Sequence, residues 1–293
     1  MIVIWIMGQK LNNHFLIFIL LSILGCSNQD SQLDEVDPIE SDPWLKKGWD
    51  ITWHDEFEGE LLDLDKWSHE VGGHGFGNNE LQYYTNDTTN SFVSNGMLTI
   101  RAQFEPAGVG SSNNLRNFSS ARLRTVGKGD WRYGRIDVRA KIALGQGIWP
   151  AIWMLPSDWK YGGWPKSGEI DIMEHVGFDE GRIHGSVHTE SYNHMINTQR
   201  SNSKLISEVK ESFHIYSIEW NIDKINFFID DIQHFSFEND NKNNYKTWPF
   251  NEKFHLLINV AVGGNWPGSP DNTTIFPSEM KVDYVRVYKQ QEK

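Results

Sequence analysis

The sharpest hydrophobic and polar alternation in the chain runs from Arg135 to Ile142, where Ile136, Val138, Ala140 and Ile142 alternate with Arg, Asp, Arg and Lys. A period of two means a strand with one face inward. Met97 to Ala102, His255 to Val262 and Val282 to Tyr288 read as further strands. Ile225–Ile229, then Asp230-Asp231, then Gln233–Phe237 reads as a hairpin around a two-residue turn. Only Glu208 to Phe213 has a helical look, and it is short. Many short strands broken by Gly, Asn and Asp predict an all-β sandwich or barrel. With about 240 residues to place, a jelly roll of two curved antiparallel sheets, one concave, is expected.

One stretch departs from this rhythm: Gly168-Glu169-Ile170-Asp171-Ile172-Met173-Glu174-His175. On a strand, Glu169 and Asp171 share a face, while Glu174 is an odd number of positions from both. A β-bulge at Ile172 or Met173 would return Glu174 to the acidic face, and bulges are enriched beside active sites. Three carboxylates cannot be buried against a core, so their face should line a wet groove. Paired carboxylates across a groove suit glycoside hydrolysis. A solvated acidic edge and a cation site are the other readings of the same pattern.

Net charge is −12, which disfavours nucleic acid and anionic surfaces as partners. Tryptophan is frequent, at 13 residues; flat aromatic faces serve both cores and sugar stacking. Residues 1–26 read as an export signal. Lys10 is followed by an apolar run from Phe15 to Leu24, and Ile23-Leu24-Gly25-Cys26 resembles a bacterial lipobox. Cys26 is the single cysteine, so the exported domain has no internal disulfide. A cleavable signal that happens to contain a Cys is the alternative. Residues 27–45, polar and acidic, read as a flexible linker with almost nothing to bury. The expected location is the outer membrane or cell surface by lipid anchor, otherwise the medium, with the chain a monomer.

Several segments within 46–290 carry a resemblance. They are Trp53-His54-Asp55-Glu56-Phe57, Gly77-Asn78-Asn79-Glu80-Leu81-Gln82-Tyr83-Tyr84, Trp131 to Arg135, Gly147 to Met154 and Gly168 to His175. Gly185-Ser186-Val187-His188-Thr189, Val262 to Gly268 and Val282 to Tyr288 complete the set. In this order they resemble glycoside hydrolase family 16, specifically its laminarinase-like endo-β-1,3-glucanases. The resemblance implies a concanavalin A-like jelly roll with a cleft across its concave face. It also implies retaining hydrolysis through a covalent glycosyl-enzyme, with no catalytic cofactor and a β-glucan as partner. Glu169 would be the nucleophile, Glu174 the acid/base and Asp171 the residue that tunes the nucleophile. Met173 would be the extra residue of the bulged branch.

Trp149, Trp153 and Trp164 are implied as cleft aromatics, although core packing suits Trp149 and Trp153 as well. His188 is implied beside the acid/base residue. Asn78, Asn79, Arg124, Asn265 and Trp266 are implied as sugar contacts, and His175 is expected to face away. The resemblance further implies a structural calcium site on the convex face, with Glu58, Gly96 and Asp283 as the matching positions, partly through backbone carbonyls. A family 16 galactanase acting on agar- or carrageenan-like chains and a non-catalytic β-glucan-binding protein remain as alternatives. Retention needs the two carboxyl groups ~5–5.5 Å apart. Five residues of flat strand, at about 3.3 Å each, would separate the backbones by ~16 Å. Curvature, the bulge and the side chains must supply the difference.

Overall fold

The computed structural model describes residues 39–209 and 211–291. The expected signal segment 1–26, with Cys26, and most of the linker lie outside the described residues. The structure is two sheets packed face to face. One has ten strands; its main path runs Ile232–Glu238, Lys224–Ile229, His214–Trp220, Gly134–Lys141, Ser278–Gln290, Met97–Val109, Arg116–Ser120 and Gln82–Tyr84. Trp49–Asp55 pairs with Ser278–Gln290, and Ser91–Ser94 with Met97–Val109. The other has eight, in the order Arg200–Leu205, Arg182–His188, Glu169–Glu174, Ile148–Pro156, Phe254–Val262, Arg122–Arg124 and Ser68–His69, with Asp130–Trp131 beside Phe254–Val262. All pairings between these strands are antiparallel except that of Gln82–Tyr84 with Arg116–Ser120.

The core lies between the sheets. Ile136, Val138 and Ala140 from the first meet Ile148, Ile152 and Met154 from the second in one buried cluster. The alternation read from the sequence is thus the partition between core and outer face. In Ile148–Pro156 the even-numbered residues are buried, while Trp149, Trp153 and Leu155 are partly exposed on the outer face. The expected hairpin forms, and its turn residues Asp230 and Asp231 have φ of 51° and 62°. Positive φ at both central positions matches the right-handed strand twist. Asp tolerates it here because its carboxylates are used: Asp230 accepts the Ile215 amide at 2.9 Å and Asp231 pairs with Arg135 at 2.6 Å.

Two expectations are corrected. No helix is found among the described residues of 208–213. Glu211 and Ser212 each donate a backbone bond to Glu208 O, as in a turn. So short a segment cannot recover the cost of nucleating a helix. The linker also ends earlier than residue 45. Asp42 is buried, accepts hydrogen bonds from Arg286 Nη1 and the Tyr288 hydroxyl at 2.7 Å each, and begins the compact domain. An acidic residue in a polar stretch looks solvated until its distant cation is known.

Candidate active site

The Glu169–Glu174 strand contains the expected bulge. Against Ile148–Pro156, Trp153 pairs with Asp171 and Ile152 with Met173, so Ile172 has no partner. Against Arg182–His188, Asp171 pairs with Ser186 and Glu174 with His184, so Ile172 and Met173 together face one residue. The residue unpaired on the first side is therefore Ile172 rather than Met173. Both side chains are fully buried in the core. Two consecutive inward residues reset the phase, and Glu174 emerges on the face of Glu169 and Asp171. Gly168 precedes the strand with φ of +90°, and a Cβ there would lie 2.8 Å from Pro249 and 3.0 Å from Phe250. Only glycine fits that entry.

The three acids open into a cleft of about 460 Å³ across the outer face of the eight-stranded sheet. Trp149, Trp153, Trp164 and Asn78 line it, as expected. His188 sits behind the acids, with Nε2 3.3 Å from Asp171 Oδ2. Trp266 packs edge-on against Trp149 at 5.6 Å and buttresses it. Asn79 donates to Asn265 Oδ1 at 2.8 Å, and Asn265 N donates to Asn78 O at 2.8 Å, so these residues lace two rim loops together. Arg124 lies outside the lining, 3.5 Å from Glu70. The cleft guanidinium is Arg122, held by Glu70 at 2.8 Å and stacked 4.6 Å over Trp153. His175 faces inward as expected, fully buried, accepting the Gly181 amide at 3.1 Å.

The sequence reading passed over Glu80, Trp159, His194, Met195 and Asn259, which also line the cleft. Trp153 donates to Asn259 Oδ1 at 2.7 Å, Asn259 to the Tyr84 hydroxyl at 3.1 Å, and that hydroxyl to Glu80 at 3.2 Å. This chain fixes the Trp153 ring. His194 packs on Trp164 at 4.9 Å.

Burial dominates the electrostatics. It pushes the Glu169 carboxyl up to about 8, with the charge of Asp171 adding to it and His188 pulling back. Burial and the charge of Glu174 hold Asp171 well above the usual carboxylate range. Glu174 is also raised by burial, opposed by His188 and assisted by Glu169. The protons therefore belong to the cluster, and hydrogen bonds divide the roles. Glu169 Oε2 accepts from Trp164 Nε1 and lies in hydrogen-bonding reach of Asp171. Among the described residues Glu174 accepts only from Trp149 Nε1, at 3.1 Å. The Trp164 donor favours the ionised form of Glu169, against the burial that raises it.

Such a cluster destabilises the fold when charged. The folded value of Glu169 lies above the unfolded value of about 4.3, so the penalty is absent below that pH and complete above the folded value. Glu169→Gln is accordingly expected to melt above the wild type at about pH 8, with the difference closing towards about pH 4. Thermal melts of both proteins across that range check this; a gain that does not vary with pH would contradict it.

Two of the residues expected to hold calcium have other neighbours for their carboxylates. Asp283 gives its carboxylate to Arg139 at 2.5 Å, and Glu58 lines a separate surface pocket beside Asp55, Asp63 and Lys66. Among the described residues, the one cluster with metal-ligand spacing is Glu169, Asp171 and His188, whose donor atoms lie within 4.8 Å of one another.

A two-sheet sandwich with three carboxylates in an aromatic cleft is a glycosidase arrangement, and the chain belongs to glycosyl hydrolases family 16, whose family model matches residues 78–286. Within that family it is similar to a beta-glucanase of Rhodothermus marinus, 44% identical over 281 residues and covering 93% of both chains. The X-ray structure of the laminarinase from Rhodothermus marinus superposes with a TM-score of 0.78 at 45% identity, over 83% of this chain and 98% of that one. An endo-β-1,3-glucanase from Pyrococcus furiosus superposes equally well, with a TM-score of 0.78 at 37% identity, over 84% and 96% of the two chains.

Proposed function

We propose that this protein is a retaining endo-glycosidase of laminarin-type β-1,3-glucan, with mixed β-1,3/1,4-glucan as a second substrate. One observation carries the reading: the bulge at Ile172 and Met173 sets Glu174 on the cleft face of Glu169, with Asp171 between them. Glu169 attacks the anomeric carbon while Glu174 gives its proton to the departing glycosidic oxygen. A covalent glycosyl-enzyme forms and the leaving chain departs as an alcohol. Glu174 then takes a proton from water, whose oxygen attacks the same carbon and releases Glu169. Two displacements restore the β configuration. Asp171, in hydrogen-bonding reach of Glu169, positions and tunes the nucleophile, Trp149, Trp153 and Trp164 supply apolar faces for the sugar rings, and no cofactor takes part.

The cleft weighs against a sulfated galactan. Its one guanidinium, Arg122, is paired with Glu70, and four acids line the same space: Glu80, Glu169, Asp171 and Glu174. Retention of all three central acids weighs against a protein that binds glucan without cutting it. Reducing-sugar release from laminarin, lichenan and agarose, measured side by side, tests the reading. Laminarin is expected first; agarose first, or release from none, would overturn it.

Two peripheral expectations remain proposals. Lys10, the Phe15–Leu24 run and Cys26 support an exported, lipid-anchored protein. Cys26→Ala is then expected to release it from the membrane fraction, and unchanged fractionation would count against the anchor. A calcium ion held by Glu58, Gly96 and Asp283, partly through backbone carbonyls, would staple that face. EDTA is then expected to lower Tm, and an unchanged Tm would count against the ion.

A further inference from the structure

A second pocket, of about 200 Å³, lies outside the cleft and is walled by Tyr161, Tyr245, Trp248, Asn243, Asn244 and Asn251. It is below the ~300–1,000 Å³ of a typical small-molecule site, a size suited to a single sugar ring. Its chemistry is specific in two ways. First, its lining contains no acid or base: besides these six residues it holds only Ile222 and Asn239. A charged ligand would be desolvated there without a counterion.

Second, its polar groups have unused hydrogen-bonding capacity. Asn244 Oδ1 accepts from Lys246 N and Asn251 Oδ1 from the Tyr161 hydroxyl, each at 3.1 Å, that hydroxyl also reaching Glu252 Oε1 at 3.1 Å, and neither Nδ2 has an acceptor among the described residues. Among the described residues the Tyr245 hydroxyl and the Asn243 side-chain amide make no hydrogen bond, and the buried Trp248 Nε1 has no partner. The rings of Tyr161 and Tyr245 stack 4.7 Å apart and 7° from parallel, forming a rigid aromatic platform. Aromatic faces beside uncommitted amides and hydroxyls suit a neutral polyhydroxylated ring.

Position links this pocket to the cleft. Tyr161 belongs to the loop that carries Trp159 and Trp164 into the cleft. On the other wall, Lys246 O accepts the Ser191 amide at 2.9 Å, and Lys246 Nζ pairs with Glu190 at 3.3 Å. These contacts tie the wall to the segment that delivers His194 and Met195 to the cleft.

We propose that this pocket is a second saccharide site, which takes one unsubstituted glucosyl ring of a β-glucan outside the catalytic cleft and holds polymeric substrate against the enzyme. The proposal rests on the glucanase reading for the identity of its ligand. Tyr245→Ala removes half of the aromatic platform without touching the cleft, and Tyr245→Phe keeps the ring. Adsorption of the full-length protein to insoluble β-1,3-glucan is expected to fall about five- to tenfold in Tyr245→Ala, the loss of one ring contact, and to be largely kept in Tyr245→Phe. Turnover of a short soluble β-1,3-gluco-oligosaccharide should change by less than about twofold, as for a substitution remote from the reacting groups. Equal adsorption of wild type and Tyr245→Ala would overturn the second site and leave the glucanase reading intact. Absence of turnover by the wild type would count against the glucanase reading, while adsorption, which needs no catalysis, still decides the pocket.

Discussion

Glu169→Ala is expected to lower kcat/KM on laminarin by at least about 10⁴-fold, a loss of about 5 kcal/mol in transition-state stabilisation. The nucleophile's bond to the anomeric carbon cannot be replaced by water held at a distance. The space left by the carboxylate admits a small anion. Added azide should therefore restore cleavage of an activated substrate and give the glycosyl azide with inverted configuration, because one displacement replaces two. Rescue with retained configuration would assign the nucleophile elsewhere. A merely structural Glu169 would yield an inactive protein that azide does not rescue. The geometry favours rescue, since Trp164 and Asp171 surround the vacated position and are anchored independently of Glu169.

Glu174→Ala is the second large effect, expected at roughly 10²–10⁴-fold for loss of a general acid and base. Its pattern distinguishes it from Glu169→Ala. A leaving group that needs no proton, such as an activated phenol, should be expelled from Glu174→Ala far faster than a sugar alcohol, whereas Glu169→Ala loses both substrates alike. The pH profile gives a second signature. In the proposed roles Glu174 acts as the acid while it holds its proton, and burial raises its pKa. Wild-type activity should therefore fall on the alkaline side as that proton leaves, and the alkaline limb should vanish in Glu174→Ala. Equal losses on both leaving groups would mean that Glu174 is not the proton donor.

How much of this was legible beforehand depended on whether the information was local. The alternation in Arg135–Ile142 and the odd spacing of Glu174 are local, and both appear in the structure, as inward Ile136 and Val138 and as the bulge at Ile172 and Met173. Arg122 and Arg124 show the limit. They share strand parity, so sequence cannot choose between them. The choice is made by register, which sets Arg122 opposite the cleft residue Asn259 and Arg124 opposite Leu257. His194 and Met195 reach the cleft from a single 3₁₀ turn, His194–Ile196, too short to show a period. Asp42 is drawn in by Arg286, 244 positions away. The order of acidity among Glu169, Asp171 and Glu174 depends on burial and on the Trp164 and Trp149 donors, which become visible only once the strands are assembled.

The central claim is that Glu169 and Glu174 act together on one face to cut β-1,3-glucan by double displacement. Proton NMR of the anomeric signals during the first moments of laminarin hydrolysis tests it most directly. The account predicts new reducing ends that appear as the β anomer and mutarotate to the α/β mixture, on a ladder of oligosaccharides of mixed length. Initial appearance of the α anomer, or release of glucose alone from the chain ends, would contradict it.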